Sequence, residues 1–247
     1  MNQYYDIQKA RIDSVQKLIV AKYGANSEVH AEPGKIRLEL PILNGKGQYV
    51  FDPKNMPVDN VTTFGLNRND VFVPSAIQFF IAIRNKETLV EELYTFAPIN
   101  DGTTPSAFPV GFATKEINAL YQGNVQWMIG SEALWSAYPM ENFHKVPETQ
   151  PCFLLNSSDA VVRQGMLERH MDQDLELLLQ RIIMAGTRDH KITVNFDASE
   201  LSFGLASDTE TATDYEARLV LYMDGTLVKS GCQNGDLSPF GKAIGNW

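Results

Sequence analysis

The stretch NDVFVPSAIQFFIAIRNKE, residues 69–87, decides how this chain folds. Its residues alternate as in a β-strand, in which successive side chains point to opposite faces of the sheet. One face carries Val71, Val73, Ser75, Ile77, Phe79, Ile81 and Ile83, and the other carries Phe72, Pro74, Ala76, Gln78, Phe80, Ala82 and Arg84. A sheet with one solvated face would have polar residues at most positions of that face. Neither face is polar here, so we expect both to be covered.

The second of these faces has a shape suited to receiving another surface. Ala76 and Ala82 flank Phe80, so that small side chains lie on either side of a large one. Extended over residues 74–84, the strand would be about 35 Å long, which is typical of large sandwiches. Its cover is either a segment of the same chain, such as the helix predicted near 165–185, or a second copy of the chain.

Composition limits the classes of protein to which the chain belongs. Of its 247 residues, 44% are hydrophobic, enough for a substantial core without disulfides or metals. The net charge of -9 argues against a general nucleic-acid surface, which needs basic residues to displace counterions. Cys152 and Cys232 are too few for a disulfide framework. With no secretory leader and no apolar run near the ~20 residues that span a bilayer, we expect a protein made in the cytoplasm.

Three regions are predicted along the chain. Residues 1–34 form an N-terminal helical arm, and Gly24 ends its helix. Residues 35–236 form one domain that is mainly β with inserted helices, which indicates a β-sandwich. Helical insertions are expected near 113–122 and 165–185. The remaining residues, 237–247, form a C-terminal tail that ends in an aromatic residue.

A hairpin is predicted within YEARLVLYMDGTLVKSG, residues 215–231. Asp224-Gly225 is the type of dipeptide that favours a two-residue type I′ turn between antiparallel strands. The preceding SDTETATD, residues 207–214, is expected to be an acidic, solvated loop.

Few residue patterns suggest chemistry. The best metal candidate is HMDQD, in which His170 and Asp174 lie four residues apart on a predicted helix with Asp172 between them. An exposed polar helix face gives the same pattern.

Two further patterns are compatible with ligand sites. Asp197, Glu200, Asp208, Glu210, Asp214 and Glu216 carry the oxygen ligands that Ca²⁺ prefers, but they lack a calcium-loop spacing and fit a solvated loop. Trp127, Trp135 and Tyr138 could form an aromatic platform for a sugar ring, or could be ordinary strand residues that face the core.

Three stretches together resemble virion structural proteins of bacteriophages. They are VTTFGLNRNDVFVPSAIQFFIAIRN (61–85), the Pro-rich KVPETQP (145–151), and HKITVNF with ARLVLYMDGTLVKSG (190–196 and 217–231). In pattern they are similar to jelly-roll capsid proteins, and the likeness covers roughly residues 35 to 232. The resemblance implies a jelly-roll-like β-sandwich, single or compact double. It also implies a non-enzymatic shell subunit that assembles through its rim and termini.

From this resemblance we expect a homo-oligomer, a trimer or higher, located in the virion with other virion proteins. Nucleic acid is not expected as its main partner, and no catalytic residue, metal or cofactor is assigned. The candidate interface residues are Tyr5, Ile12, Val15, Ile19, Phe80, Phe240, Ile244 and Trp247. The alternatives are a carbohydrate- or protein-binding β-sandwich module and, third, a metal-dependent enzyme that uses His170 and Asp174.

Overall fold

The computed structural model describes residues 3–24, 29–43, 45–54, 65–86, 89, 91–95, 119–145, 175–197, 215–229 and 244–245. Over these residues the chain is mainly β, with one long helix, α1 (Gln3–Tyr23), ahead of the strands. The strands are β1 (Ala31–Pro41), β2 (Gln48–Phe51), β3 (Val71–Asn85), β4 (Glu91–Tyr94), β5 (Asn124–Ile129), β6 (Glu132–Pro139), β7 (Glu176–Leu177), β8 (Arg181–Ile182), β9 (Met184–Ala185), β10 (His190–Asn195), β11 (Tyr215–Val228) and β12 (Ile244–Gly245). A short 3-10 helix, Met140–Phe143, follows β6.

The strands form two main antiparallel sheets. In the larger sheet β11 lies between β1 and β3, and the other edge of β3 pairs with three short strands, β9, β7 and β4. In the smaller sheet the order is β2, β10, β5 and β6. Separately, β12 pairs with β8.

One hydrophobic core takes side chains from both main sheets. Ile77, Phe79 and Ile81 of β3 belong to it, together with Trp127 of β5 and Ile192 of β10. Each of these side chains is buried, as expected where the apolar faces of two sheets pack together. The fold is therefore mainly β, with two sheets that share one core, and this arrangement is consistent with the predicted β-sandwich.

Helix α1 confirms the predicted N-terminal helix. Its end is fixed by Gly24, whose φ of +84° is the left-handed conformation that commonly follows a helix. The Gly24 N–H donates to the Val20 carbonyl at 2.9 Å, which satisfies one carbonyl of the last turn. None of the described helices combines the length and the apolar character that crossing a bilayer requires.

Strand β3 contains a β-bulge that inverts its alternation. Ala76 pairs with Asp224 and Pro74 pairs with Gly225, so Ser75 is an extra residue with no partner on β11. Beyond the bulge Phe79 faces the main core, whereas before it Val73 faces the opposite side. The assignment of faces by simple alternation is therefore wrong across Ser75, because one inserted residue moves every later side chain to the other face.

The predicted hairpin at Asp224-Gly225 is also wrong. Strand β11 runs without a turn from Tyr215 to Val228 and pairs along its whole length with β3, and from Arg218 onward also with β1. Gly225 is not among the described glycines with positive φ, which a type I′ turn would require. The position instead favours glycine because the β3 backbone lies very close to it. A Cβ atom built on Gly225 would lie 2.3 Å from the Val73 carbonyl oxygen.

The two predicted helical insertions have different outcomes. Residues 175–185, the second half of the insertion predicted near 165–185, contain β7, β8 and β9 rather than helix. Pairing with β3 outweighs their helical spacing, and residues 165–174 lie outside the described part. For the insertion near 113–122, residues 119–121 are helical and 113–118 are not described.

We expect Gly225→Ala to reduce the free energy of unfolding by more than about 3 kcal/mol, because the new methyl group would press on backbone atoms of the bulge. Urea unfolding followed by circular dichroism measures the effect. Gly45→Ala is the control: its φ is +71° with nothing near the built Cβ, so only the cost of the left-handed backbone, about 1–2 kcal/mol, applies. Equal losses in the two variants would contradict a close approach at Gly225.

Candidate functional site

The outer face of the larger sheet, which is turned away from the smaller sheet, carries the sequence features that suggested an assembly surface. Helix α1 lies on one part of it. Val15 and Ile19 of α1 are buried against a group that we call the arm seam: Val71, Val73, Ile183, Ala185 and Val228. The seam joins the first strand positions of β3 to the last position of β11.

Two polar side chains fix α1 on this face. The Arg11 guanidinium donates to the Ser75 carbonyl through one nitrogen and to the Leu178 carbonyl, at 2.8 Å, through another. The Gln16 Oε1 atom accepts a hydrogen bond from the Ala31 N–H at 3.0 Å, at the start of β1. Arg11 thus binds the carbonyl of the bulge residue, where the ladder with β11 is interrupted.

A second apolar cluster covers the outer face beyond the bulge. Phe80 lies there with Ala76 and Ala82, and it contacts Tyr222 of β11 edge to face, with ring centroids 6.3 Å apart. Leu175, just before β7, completes the cluster. Phe80 is 0% exposed in the single chain. The sequence did not decide whether the same chain or a second copy covers this face of β3. At these positions the chain itself covers it.

The predicted interface residues divide into three groups. Val15, Ile19 and Phe80 are buried within the chain, so an interface that used them would require α1 or the segment around Leu175 to move. Ile12 is half-buried on α1. Tyr5 lies in α1, but its side chain is outside the described set. The interface itself remains a prediction.

The C-terminal candidates are described only in part. Ile244 belongs to β12, whose backbone pairs with Ile182 of β8 in the same chain. Phe240 and Trp247 lie outside the described residues. At β12 the tail therefore docks on its own subunit.

Six charged side chains form a network on the outer face near the end of β3. The fully buried carboxylate of Glu39 accepts from Arg37 at 2.8 Å and from Arg84 at 3.2 Å. Further pairs link the remaining members across β1, β11, β3 and β4: Arg84 with Glu91 at 2.7 Å, Arg37 with Glu91, Arg218 with Glu216 at 2.8 Å, and Arg218 with Glu39 at 3.6 Å. Three arginines thus balance three glutamates.

The electrostatics of this network favour the charged state of Arg84. Burial alone would lower the pKa of Arg84, but the carboxylates of Glu91 and Glu39 outweigh it and raise that pKa above its ordinary value. A buried guanidinium is tolerated only with such partners. The network fixes the lateral order of four strands and is already balanced in charge.

The aromatic residues considered for sugar binding are only partly available. Trp127 is buried in the main core and contacts Trp135 edge to face. Trp135 and Tyr138 are half-buried on β6, stacked with ring centroids 4.5 Å apart. Trp135 also lies near Phe143 of the 3-10 helix. A three-residue platform is therefore not present, and only the β6 pair has open surface.

The metal candidates are largely outside the described residues, among them His170, Asp172 and Asp174. Within the described part no group of three or more His, Cys, Asp or Glu side chains could hold a metal ion. Of the six acidic residues considered for Ca²⁺, Asp197 is exposed, and Glu216 is directed to the arginine network. Glu200, Asp208, Glu210 and Asp214 are not described.

Sequence reasoning missed two features of this face. Arg11 looked like a solvent-facing residue of an amphipathic helix, and nothing in its spacing indicated the bulge carbonyl that it binds. The ion network could have been suspected from Arg84, a charge inside an apolar strand, because such a charge requires a buried partner.

The chain matches no protein family model, no curated protein and no solved structure.

We expect Arg11→Met to reduce the free energy of unfolding by about 1–3 kcal/mol. Methionine keeps the aliphatic packing but leaves the two backbone carbonyls without their guanidinium donor. Urea unfolding measures the loss. Lys9→Met, an exposed position on the same helix, should change stability by less than about 0.5 kcal/mol. Comparable small effects for both variants would show that Arg11 does not anchor α1.

For the ion network, we expect Glu39→Gln to cost about 3–5 kcal/mol, because it leaves three arginines facing two carboxylates in a buried setting. Thermal unfolding at constant pH tests this. Glu32→Gln is the matched control on the same strand. Its partner Lys229 is 59% exposed, so the loss should stay below about 1 kcal/mol. A small loss for Glu39→Gln would mean that the network contributes little.

Proposed function

We propose that this chain is a non-enzymatic structural subunit that self-assembles, and that its sandwich is a single jelly roll of the kind used in bacteriophage virion proteins. The single observation that carries the proposal is the order of the strands in the two sheets. A jelly roll has eight strands in two sheets with Greek-key connections and occurs in viral capsid and lectin domains.

The strand order supports this proposal in detail. Among the described strands, β7 and β9 on the edge of β3 count as one broken strand, and β4, β8 and β12 are set aside as additions. Eight strands then follow in chain order: β1, β2, β3, β5, β6, β7–β9, β10 and β11. The first pairs with the eighth, the second with the seventh, the third with the sixth and the fourth with the fifth. This is the pairing of one long hairpin rolled into two sheets.

The chemistry of the outer face also supports a structural role. Its charged side chains are engaged with one another across four strands, and its polar anchors hold backbone carbonyls. Such contacts stiffen a sheet. A stiff body is what a shell subunit needs, because each copy must present the same contact geometry to its neighbours.

We assign the contacts between copies to exposed apolar side chains, because Val15, Ile19 and Phe80 are buried within the chain. Leu179, between β7 and β8, is 90% exposed, and Leu89, just before β4, is 65% exposed. Both lie along the β7 and β4 edge of the larger sheet. Leu89 also holds a φ of +57°, a left-handed conformation that is uncommon for leucine and worth a functional explanation.

Size-exclusion chromatography with light scattering, followed by negative-stain imaging of the same peak, tests the proposal. We expect oligomers larger than a single 27.6 kDa chain, with trimers or closed particles in the images. We further expect Leu179→Ser to weaken assembly at least tenfold without changing the unfolding midpoint, since the side chain has almost no contacts to lose.

Leu43→Ser is the matched control, because Leu43 is 51% exposed but lies at the opposite edge, after β1. It should leave assembly unchanged. A clean monomer at high concentration would contradict self-assembly. A monomer would also make the binding module the leading alternative. Glycan screening of the wild-type protein and of Trp135→Ala would test it, because the Trp135 ring is only half-buried on β6.

A further inference from the structure

A histidine is buried in the main core at one end of the smaller sheet. His190 is the first residue of β10 and pairs with Ile129 of β5. By alternation its side chain shares the inner face with Ile192 and Val194, and it is only 2% exposed. Neither ring nitrogen has a well-formed hydrogen bond in the part of the chain that the structure describes, and the Ala185 backbone gives the ring only a weak one. A buried imidazole normally has a well-formed hydrogen bond, so this residue requires an explanation.

The charged groups that act on the ring come from two segments. Arg188 and Asp189 immediately precede β10, and Asp52 follows β2. Asp189 is 3.2 Å from the Lys54 ammonium, and the Asp52 carboxylate accepts from the Lys54 N–H at 3.0 Å. Both carboxylates thus have contacts of their own, and their effect on the ring is smaller than that of burial.

Another buried polar atom on the same face, the Trp127 indole nitrogen, cannot help an imidazolium. Trp127 pairs with Ile192, one position diagonal to His190 in the register, and its Nε1 atom is also buried without a described partner. The indole N–H is only a donor, whereas a protonated imidazole needs acceptors at both nitrogens. A proton gained at His190 would therefore be a poorly compensated charge inside the core.

We propose that His190 is an acid-sensitive switch: when its ring gains a proton, the end of the smaller sheet formed by β2, β10 and β5 opens while the larger sheet stays paired. β2 has only four residues, so few ladder bonds hold this end. The inference is independent of the proposed function, because it concerns the single chain.

The direction of the effect follows from the ring's environment. Burial, and secondarily Arg188, lower the pKa of His190 from 6.5 to about 4, against smaller opposing effects of Asp52, Asp189 and the Ala185 backbone. In the open form the ring recovers its ordinary value. Between pH 6.5 and 4 the open form therefore binds the extra proton, and opening becomes about tenfold more favourable per pH unit. The whole interval gives about 300-fold.

Hydrogen exchange of the full chain, analysed by mass spectrometry at pH 7, 6, 5 and 4.5, tests this switch. After correction for the intrinsic pH dependence of exchange, peptides from β2, β10 and β5 should lose protection about tenfold per unit below pH 6.5. Peptides from β1 and β11 should keep theirs. His190→Leu should abolish the response, and His30→Leu, at an exposed position, should retain it.

Three outcomes would overturn the switch: the same pH response in His190→Leu, simultaneous loss of protection in both sheets, or no loss down to pH 4.5. The wild-type protein provides a reading that does not depend on the leucine variant folding. Titration of the His190 ring followed by NMR should show it neutral at pH 5.5 in the closed form. A ring that protonates near 6.5 without opening the sheet would equally exclude the proposal.

Discussion

One inserted residue in β3 determines how the rest of the sheet is covered. Ser75 interrupts the ladder between β3 and β11, and so the two halves of β3 present opposite sequence positions to the main core. Both halves need apolar residues on both sides, because one side faces the smaller sheet and the other faces α1 or the Phe80 cluster. This is why neither set of alternate residues in 69–87 is polar.

The bulge also explains why α1 docks where it does. A bulge disrupts the ladder locally, and a buried carbonyl without a partner is costly. The Ser75 carbonyl receives the Leu178 N–H at 2.9 Å and the guanidinium of Arg11. The same arginine holds the Leu178 carbonyl, so one side chain of α1 ties the bulge to the segment after β7. The arm is thus part of the structure that makes the bulge tolerable.

Local sequence pattern predicted the elements whose conformation does not depend on a distant partner. It failed where pairing with a distant strand determines the conformation. The period of two was sufficient for β1, β2 and β10, and helical spacing with Gly24 was sufficient for α1. The Asp224-Gly225 dipeptide favoured a turn locally, but pairing with both β1 and β3 holds it in a continuous strand. Residues 175–185 likewise have helical spacing, yet β3 offers them an unpaired edge. A tertiary contact of this kind leaves no trace in local periodicity.

The site was harder to predict than the fold because its contacts join strands far apart in sequence. Glu39 on β1 meets Arg84 on β3 and Arg218 on β11 only once all three strands lie side by side. β1 and β11 are the first and last long strands, so this pairing requires nearly the whole described chain to be in place, and such non-local pairing forms slowly. Of the described partners, only Arg37 pairs with Glu39 from within β1, so the remaining partners of this buried carboxylate are in place only in the completed sheet. The network therefore favours one strand order over the alternatives.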